Sequence, residues 1–320
     1  MSRYARQTCL PEVGEQGQAL LSAATVLVVG AGGLGSALLP LLAGAGIGHI
    51  RVIDPDRVEE HNLHRQVLYR MSDIGRPKAE VAAGALAALN PDCRIEATVA
   101  RLDPANAPGV IAGADIVVDA ADTFAVTYAL SDLCHAARKP LISASVLGRT
   151  GHVGGFCGAA PSYRAVFPDL PRQMMTCASG GVMGPAVATL GALQAQMVLS
   201  VLLDHVPSPL GQMISVDLQN WRLSSFRFDG SAEPGTGPQV IAPAAVCEDD
   251  IVIDLRSIAE APETPFAHAH RMGPDGPDGF TPEPGRRVVF VCASGLRAWH
   301  AARQLQDRHA APVAIVALGS

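Results

Sequence analysis

The sequence predicts a doubly wound α/β fold, a mainly parallel sheet covered by helices on both faces, followed by a second and smaller α/β unit. Three observations carry this. Short β-branched apolar runs alternate with helical stretches from residue 25 to residue 145, the order expected of a parallel sheet. A glycine turn follows the first of these runs and opens a helix, which makes a βαβ unit. Past a stretch rich in Gly, Pro and Ala at 229–244, the alternation begins again.

The elements follow in chain order. TVLVV at 25–29 is a strand buried on both faces, GAGGLGSALLPLLAGAG a turn and helix, and HIRVID at 49–54 the second strand. A helix over Pro77–Leu89 and strands near Arg94–Val99 and at DIVVDA come next. A helix from Thr123 to Ala137 then precedes a strand at PLISAS. Beyond Gly151 the text is irregular until a long apolar helix and two strand-like runs, MISVDL and WRLSSFRF, which extend the first domain. The expected division is a first domain over 1–228, a linker over 229–244 and a small domain over 245–320. The last contains strands IVIDLR, RVVFVCA and VAIVAL and a helix from Leu296 to about Asp307.

Composition narrows the function. The 320 residues suit two domains, and 48% apolar content supplies a large core. A net charge of -6 with Lys and Arg scattered argues against nucleic acid or an anionic membrane surface as partner. The seven cysteines are well separated and read as reduced thiols. MSRYARQTCLPEVGEQ has no apolar stretch behind its charges, so no secretory signal is expected and the expected location is the cytoplasm. Ala178–Leu203 carries no charge and approaches membrane-span length. Pro185, Gln194 and Gln196 interrupt it, and it lacks a basic flank, so it reads as a buried helix and no membrane partner is expected.

Gly30, Gly32 and Gly35 spell G-x-G-x-x-G between a strand and a helix, where backbone amides at a helix start can meet phosphate. Asp54 ends the next strand, where a carboxylate can bind ribose hydroxyls; the fold is Rossmann-like. From these features alone a nicotinamide-dependent oxidoreductase is the default reading. Arg65 in NLHRQ and Lys78 in GRPKAE tilt the reading, because a bound triphosphate needs cations around it. Asp119 and Asp122, in VVDAADT at the carboxyl edge of the sheet, are candidates for holding Mg²⁺.

The run RYARQ (3–7), GAGGLG (30–35), DPD (54–56), NLHRQ (62–66), GRPKAE (75–80), DAADT (119–123), PLISAS (140–145) and TCASGGVMGP (176–185) resembles the MoeB/ThiF family, bacterial relatives of ubiquitin-activating enzymes. The resemblance implies an adenylyltransferase that uses ATP and Mg²⁺ to activate the C-terminal glycine carboxylate of a small sulfur carrier ending in Gly-Gly, for thiamine or molybdopterin synthesis. It implies that Arg65 and Lys78 contact the triphosphate, Asp54 the ribose and Asp122 the Mg²⁺. Gly30, Gly32, Gly33, Gly35, Asn62, Gln66 and Thr123 would complete the nucleotide site. Arg6 would reach the phosphates of the other subunit, so a homodimer is implied. Thr123 stands where the family often has Asn, keeping a hydroxyl but not an amide pair.

Cys177 lies in the family's cysteine-bearing loop, where two readings stand: a role in persulfide or thioester transfer, or a small buried apolar residue. Many family members hold a structural zinc with two C-x-x-C pairs. Here Ser162 and Ala165 replace the first pair and only Cys247 is left of the second, so no zinc site is expected and the loop should be held by Tyr163, Val166 and Phe167. The C-terminal unit resembles a shortened rhodanese domain through IVIDLR and CASGLR. That likeness implies amides from Cys292 to Arg297 curled around the Cys292 sulfur, with either an active sulfurtransferase or a degenerate binding module as its role. A cysteine desulfurase or other sulfur donor would then be a further partner. The competing readings for the whole chain are an NAD(P)-dependent oxidoreductase and a non-catalytic carrier-binding scaffold.

Overall fold

The computed structural model describes residues 3–170, 180–235, 237–273 and 279–319. Its larger sheet has eight strands in the order β3-β2-β1-β4-β5-β6-β7-β8. The strands are β1 (Thr25–Val29), β2 (His49–Ile53), β3 (Arg94–Thr98), β4 (Ile116–Asp119), β5 (Pro140–Leu147), β6 (Thr150–Cys157), β7 (Gln212–Asp217) and β8 (Arg222–Arg227). The first five run parallel, and the last three add on antiparallel. Chain order reverses between β1 and β4, the switch point where open α/β sheets form a ligand crevice.

Two helices start the chain, α1 (Ala5–Thr8) and α2 (Gly14–Ala23), and α3 (Gly33–Ala45) follows β1. Connecting helices α4 (Lys78–Leu89), α5 (Ala107–Ala112) and α6 (Phe124–Ala136), the single turn α7 (Tyr163–Val166) and the long α8 (Gly184–Leu202) complete the first unit. The apolar stretch read as a buried helix is α8, with Ala186, Val187, Leu190, Ala195 and Val198 in the core that α3 shares. It is the one described helix long and apolar enough to cross a membrane by length and composition. The two helices touch closely: a Cβ on Gly191 would lie 2.8 Å from the Ala37 Cβ and 2.9 Å from the Leu34 carbonyl oxygen. The glycine-rich β6 was not expected from the sequence. Its glycines serve neighbours, since a Cβ on Gly155 would lie 2.5 Å from the Pro209 carbonyl oxygen.

The second sheet is all parallel, in the order β11-β10-β12-β13-β9, from β9 (Gln239–Val240), β10 (Ile251–Asp254), β11 (His270–Arg271), β12 (Val288–Cys292) and β13 (Val313–Ala317), with α9 (Leu296–Gln306) packed on it. Strand β9 draws part of the stretch expected as linker into this sheet, pairing Val240 with Ile315.

Because α8 and α3 meet through a glycine, Gly191→Val should force the helices apart and cost about 1–3 kcal/mol. Urea denaturation measures this; an unchanged midpoint would show that the helices pack loosely there.

Candidate active site

The glycine turn is built by close approach. Gly30 has φ +99°, and a Cβ there would lie 2.5 Å from the Ala120 carbonyl oxygen; a Cβ on Gly35 would lie 2.2 Å from the Gly30 carbonyl oxygen. The β1–α3 turn therefore nests against the end of β4, with Gly32 and Gly33 at the start of a 13-residue helix. Asp54 braces this turn: its carboxylate accepts the Ala31 N–H at 2.7 Å and the Asp56 N–H at 2.8 Å. Burial raises its pKa, and the two amides oppose that rise. The Tyr69 hydroxyl donates to the Ala31 carbonyl oxygen at 2.6 Å from beneath.

Lys78, the first residue of α4, is buried, and its Nζ lies 2.8 Å from Asp56 Oδ2. Its amide also donates to the Asp56 carbonyl oxygen at 2.9 Å. Asp56 was not among the residues singled out from the sequence, although the DPD motif contains it; it fixes where the only buried ammonium of the described residues stands. Gln66 is buried beside the turn, with Nε2 3.8 Å from where a Cβ on Gly32 would stand, and the buried Asn62 accepts its amide at 3.0 Å; their Oε1 and Oδ1 have no hydrogen-bond partner. Thr123, immediately before α6, likewise has a buried Oγ1 without a partner. Unpaired buried oxygens are costly and call for a donor or a cation. Arg65 lies in the same loop as Asn62 and Gln66, with Nη1 against the His61 carbonyl oxygen at 3.2 Å and His64 Nε2 at 2.8 Å. The start of α8 presses on this loop: a Cβ on Gly184 would lie 2.5 Å from the His64 carbonyl oxygen.

The two aspartates of VVDAADT part company. Asp122 is exposed beside Thr123, at the carboxyl edge, and is free to meet a cation. Asp119 is fully buried, and its Oδ2 accepts the Thr127 hydroxyl at 2.7 Å and the Ser143 hydroxyl at 2.8 Å. The expectation that Asp119 shares in holding Mg²⁺ is corrected: its Oδ2 is committed to α6 and β5, and its Oδ1 accepts the Ala121 N–H at 3.2 Å. Gln194, read from the sequence only as a polar break in the apolar stretch, adds a bond from its Nε2 to the Asp119 carbonyl oxygen at 2.8 Å.

Arg6 does not join Arg65 and Lys78. Its helix α1 sits at the far end of α3, where a Cβ on Gly46 would lie 2.6 Å from the Tyr4 ring and where Asn90 donates to the Tyr4 hydroxyl at 2.8 Å. Thirteen helical residues separate that end from the glycine turn, about 20 Å along α3. Cys177 lies outside the described residues.

The residues that stand where many family members hold zinc do not suit that metal. Ser162 caps α7, and both its amide, at 2.7 Å, and its hydroxyl, at 2.6 Å, donate to the Glu233 carboxylate. Its oxygen is thus spent on an organic cross-link where a thiolate would be needed. Tyr163 and Phe167 do pack the loop, their rings 4.7 Å apart. Cys247 is exposed, and its amide donates to Asp250.

In the second unit Cys292 ends β12 and is fully buried, its Sγ accepting the Gly295 N–H at 3.1 Å. Gly295 holds φ +85° to turn the loop back into α9. Arg256 pairs in bidentate fashion with the buried Asp254 at 3.0 and 2.9 Å, and Arg297 bonds the Leu255 carbonyl oxygen at 2.9 Å and Glu260. Burial would raise the Asp254 carboxyl, but Arg256 holds it below the usual range.

The chain is a nucleotide-binding α/β protein whose switch point carries a glycine turn and a buried lysine. Residues 4–236 match the ThiF family model, and the chain belongs to the ThiF family. It is 44% identical over 225 residues to the sulfur carrier protein adenylyltransferase of Thermus thermophilus, a match spanning 68% of this chain and 83% of that one. It is 39% identical over 230 residues to the SAMP-activating enzyme E1 of Haloferax volcanii, spanning 71% and 85%. Against the adenylyltransferase and sulfurtransferase MOCS3 of Drosophila sechellia, the chain is 40% identical but spans only 52% of that protein. The crystal structure of E. coli MccB with MccA-N7isoASN superposes with a TM-score of 0.65 at 25% identity, over 72% of this chain and 73% of that one.

Burial pushes the Asp119 carboxyl up from 3.8 to about 6, the hydrogen bonds from Thr127 and Ser143 opposing the rise. Below pH ~4 the group is protonated folded or unfolded; above pH ~6 the folded chain must carry a buried charge, so this contribution to stability is lost as pH rises between them. Relative to Asp119→Asn, the wild-type protein should lose up to about 3 kcal/mol between pH 4 and 7 in urea titrations. Parallel stability curves for the two would show an ordinary carboxyl.

Proposed function

We propose that this chain uses ATP to adenylylate the C-terminal glycine of a small ubiquitin-like sulfur carrier ending in Gly-Gly, preparing it for conversion to a thiocarboxylate. The observation that carries the proposal is the pairing of a buried, tethered Lys78 with unpartnered oxygens on Asn62, Gln66 and Thr123 around one glycine turn. The chemistry fits. A carboxylate oxygen attacking the α-phosphorus brings anion to anion, so the protein's task is to orient both and to set cations against the phosphates while pyrophosphate leaves. Lys78 is preorganised for this by Asp56, and Arg65 stands on the opposite loop. Asp54 serves the ribose, and the amides of Gly32 and Gly33 at the start of α3 face phosphate. Asp122 and the Thr123 hydroxyl offer hard oxygen donors suited to Mg²⁺, which would neutralise phosphate charge when bound with ATP. The relatives named as sulfur carrier and SAMP activators support the substrate class.

The working form in this reading is a cytoplasmic homodimer with shared sites. Arg6 stands too far from its own glycine turn to serve it, which supports its reaching the partner's phosphates. The first domain performs activation, and the C-terminal unit, joined through residues 229–244, is a shortened rhodanese-like module that takes sulfur onto Cys292 from a desulfurase or other donor. Cys177 is the second candidate for sulfur or acyl transfer. Ser162 and Glu233 replace a structural zinc, so metal analysis of purified protein should find less than one zinc per ten chains.

ATP–pyrophosphate exchange should appear only with a Gly-Gly carrier and should fall at least a hundredfold in Arg65→Ala and Asp122→Ala. Exchange retained in both variants would remove these residues from the site. If the sites are shared, mixing two inactive variants, Arg6→Ala and Arg65→Ala, should restore about a quarter of wild-type exchange, since half the dimers regain one intact site. No recovery on mixing would mean that each chain completes its own site. Cys292→Ser should leave exchange intact and slow thiocarboxylate formation.

A further inference from the structure

The outer face of α6 is covered by this chain's own C-terminal unit. Tyr128 and Ala129 of α6 belong to one buried cluster with Ile253, Phe290, Cys292 and Trp299. The Tyr128 and Trp299 rings lie 5.2 Å apart, and the Arg164 guanidinium carbon stands 4.6 Å from the first ring centroid and 5.0 Å from the second. Arg164 is itself gripped by a bidentate pair with Asp132 of α6 and also reaches the Pro238 carbonyl oxygen at 3.5 Å. A second ion pair, Arg303 with Asp169 at 3.3 Å, spans the same seam. At the other end of the seam the cysteine loop lies on the first turn of α6: a Cβ on Gly295 would lie 3.3 Å from the Phe124 ring and 3.5 Å from the Ala125 Cβ. That turn begins directly after Asp122 and Thr123.

We propose that Arg164 is the latch of this docking surface, holding the C-terminal unit on α6 with the Cys292 loop sealed, and that release of the latch is what exposes the thiol. Two features argue for a releasable contact. Arg164 belongs to the loop after β6, a separate piece of chain from both surfaces it joins, and it binds them by stacking and charge, interactions individually worth about 0.5–2 kcal/mol. By contrast β12 and β13, which carry the cysteine loop, pair within their own sheet, so the ladder that holds the loop does not involve α6. Moving the unit off α6 would uncover the loop without breaking a ladder. The proposal stands apart from the identity of the carrier and from adenylylation, because what it concerns is the accessibility of one thiol.

The chain supplies its own controls. Cys9 and Cys247 are exposed, while Cys134 and Cys157 are buried in the first unit. In site-resolved alkylation of the full chain with iodoacetamide, Cys292 of the wild type should react far more slowly than Cys247. In Arg164→Ala and in Asp132→Asn its rate should rise at least tenfold, while Cys134 and Cys157 stay protected. Wild-type Cys292 reacting as fast as Cys247, or no acceleration in either variant, would overturn the latch. Acceleration of Cys134 and Cys157 together with Cys292 would overturn it too, by showing that Arg164 holds up the first unit's fold and not the docking.

Discussion

The carboxylate of Asp119 is the point on which the nucleotide crevice is hung. It lies at the end of β4, the strand beside the switch point, and it is wholly buried. Burying a carboxyl is unfavourable unless hydrogen bonds surround it, and here they come from Thr127 on α6, Ser143 on β5 and the Ala121 amide. Gln194 on α8 closes the set through the backbone oxygen. One residue thus joins two strands and two helices on opposite faces of the sheet. The chain that leaves it, Ala120 to Thr123, has its course decided at its first residue. That course puts the Ala120 carbonyl under Gly30 and leaves Asp122 and Thr123 at the rim.

The same network explains what could be read from the sequence and what could not. The parallel strands were legible because burial on both faces writes itself as an unbroken apolar run, as in TVLVV. The glycine turn was legible because its geometry admits only glycine. Strand β6 was not, since TGHVGGFC sets only two β-branched residues, Thr150 and Val153, among three glycines; those glycines answer to neighbours distant in sequence, such as Pro209. Asp119 and Asp122 look alike three residues apart, and only burial assigns one to the scaffold and the other to the rim. Asp56 escaped for a related reason: its value lies in a 2.8 Å contact with a lysine 22 positions away, which no local pattern encodes.

The loop after β6 shows how one structural need is met by different chemistry. A thiolate-bound metal would fasten this loop to the chain that follows β8. Here Ser162 and Glu233 make that connection through two hydrogen bonds, and aromatic rings fill the space above. Such a clamp binds more weakly than a metal, and it uses only one side chain of the loop. The neighbouring Arg164 takes no part in this clamp, and it points to the C-terminal unit.

That arrangement links the two units more closely than a tether would. Helix α6 starts at the rim of the nucleotide crevice, carries Thr127 into the Asp119 network on one side, and presents Tyr128 and Phe124 to Trp299 and the cysteine loop on the other. Successive residues of a helix face different directions, so Thr127 and Tyr128 can serve separate surfaces from adjacent positions. A rigid element shared in this way transmits position. The Cys292 loop rests on the first turn of α6, so any shift of that turn is a shift of the floor beneath the loop.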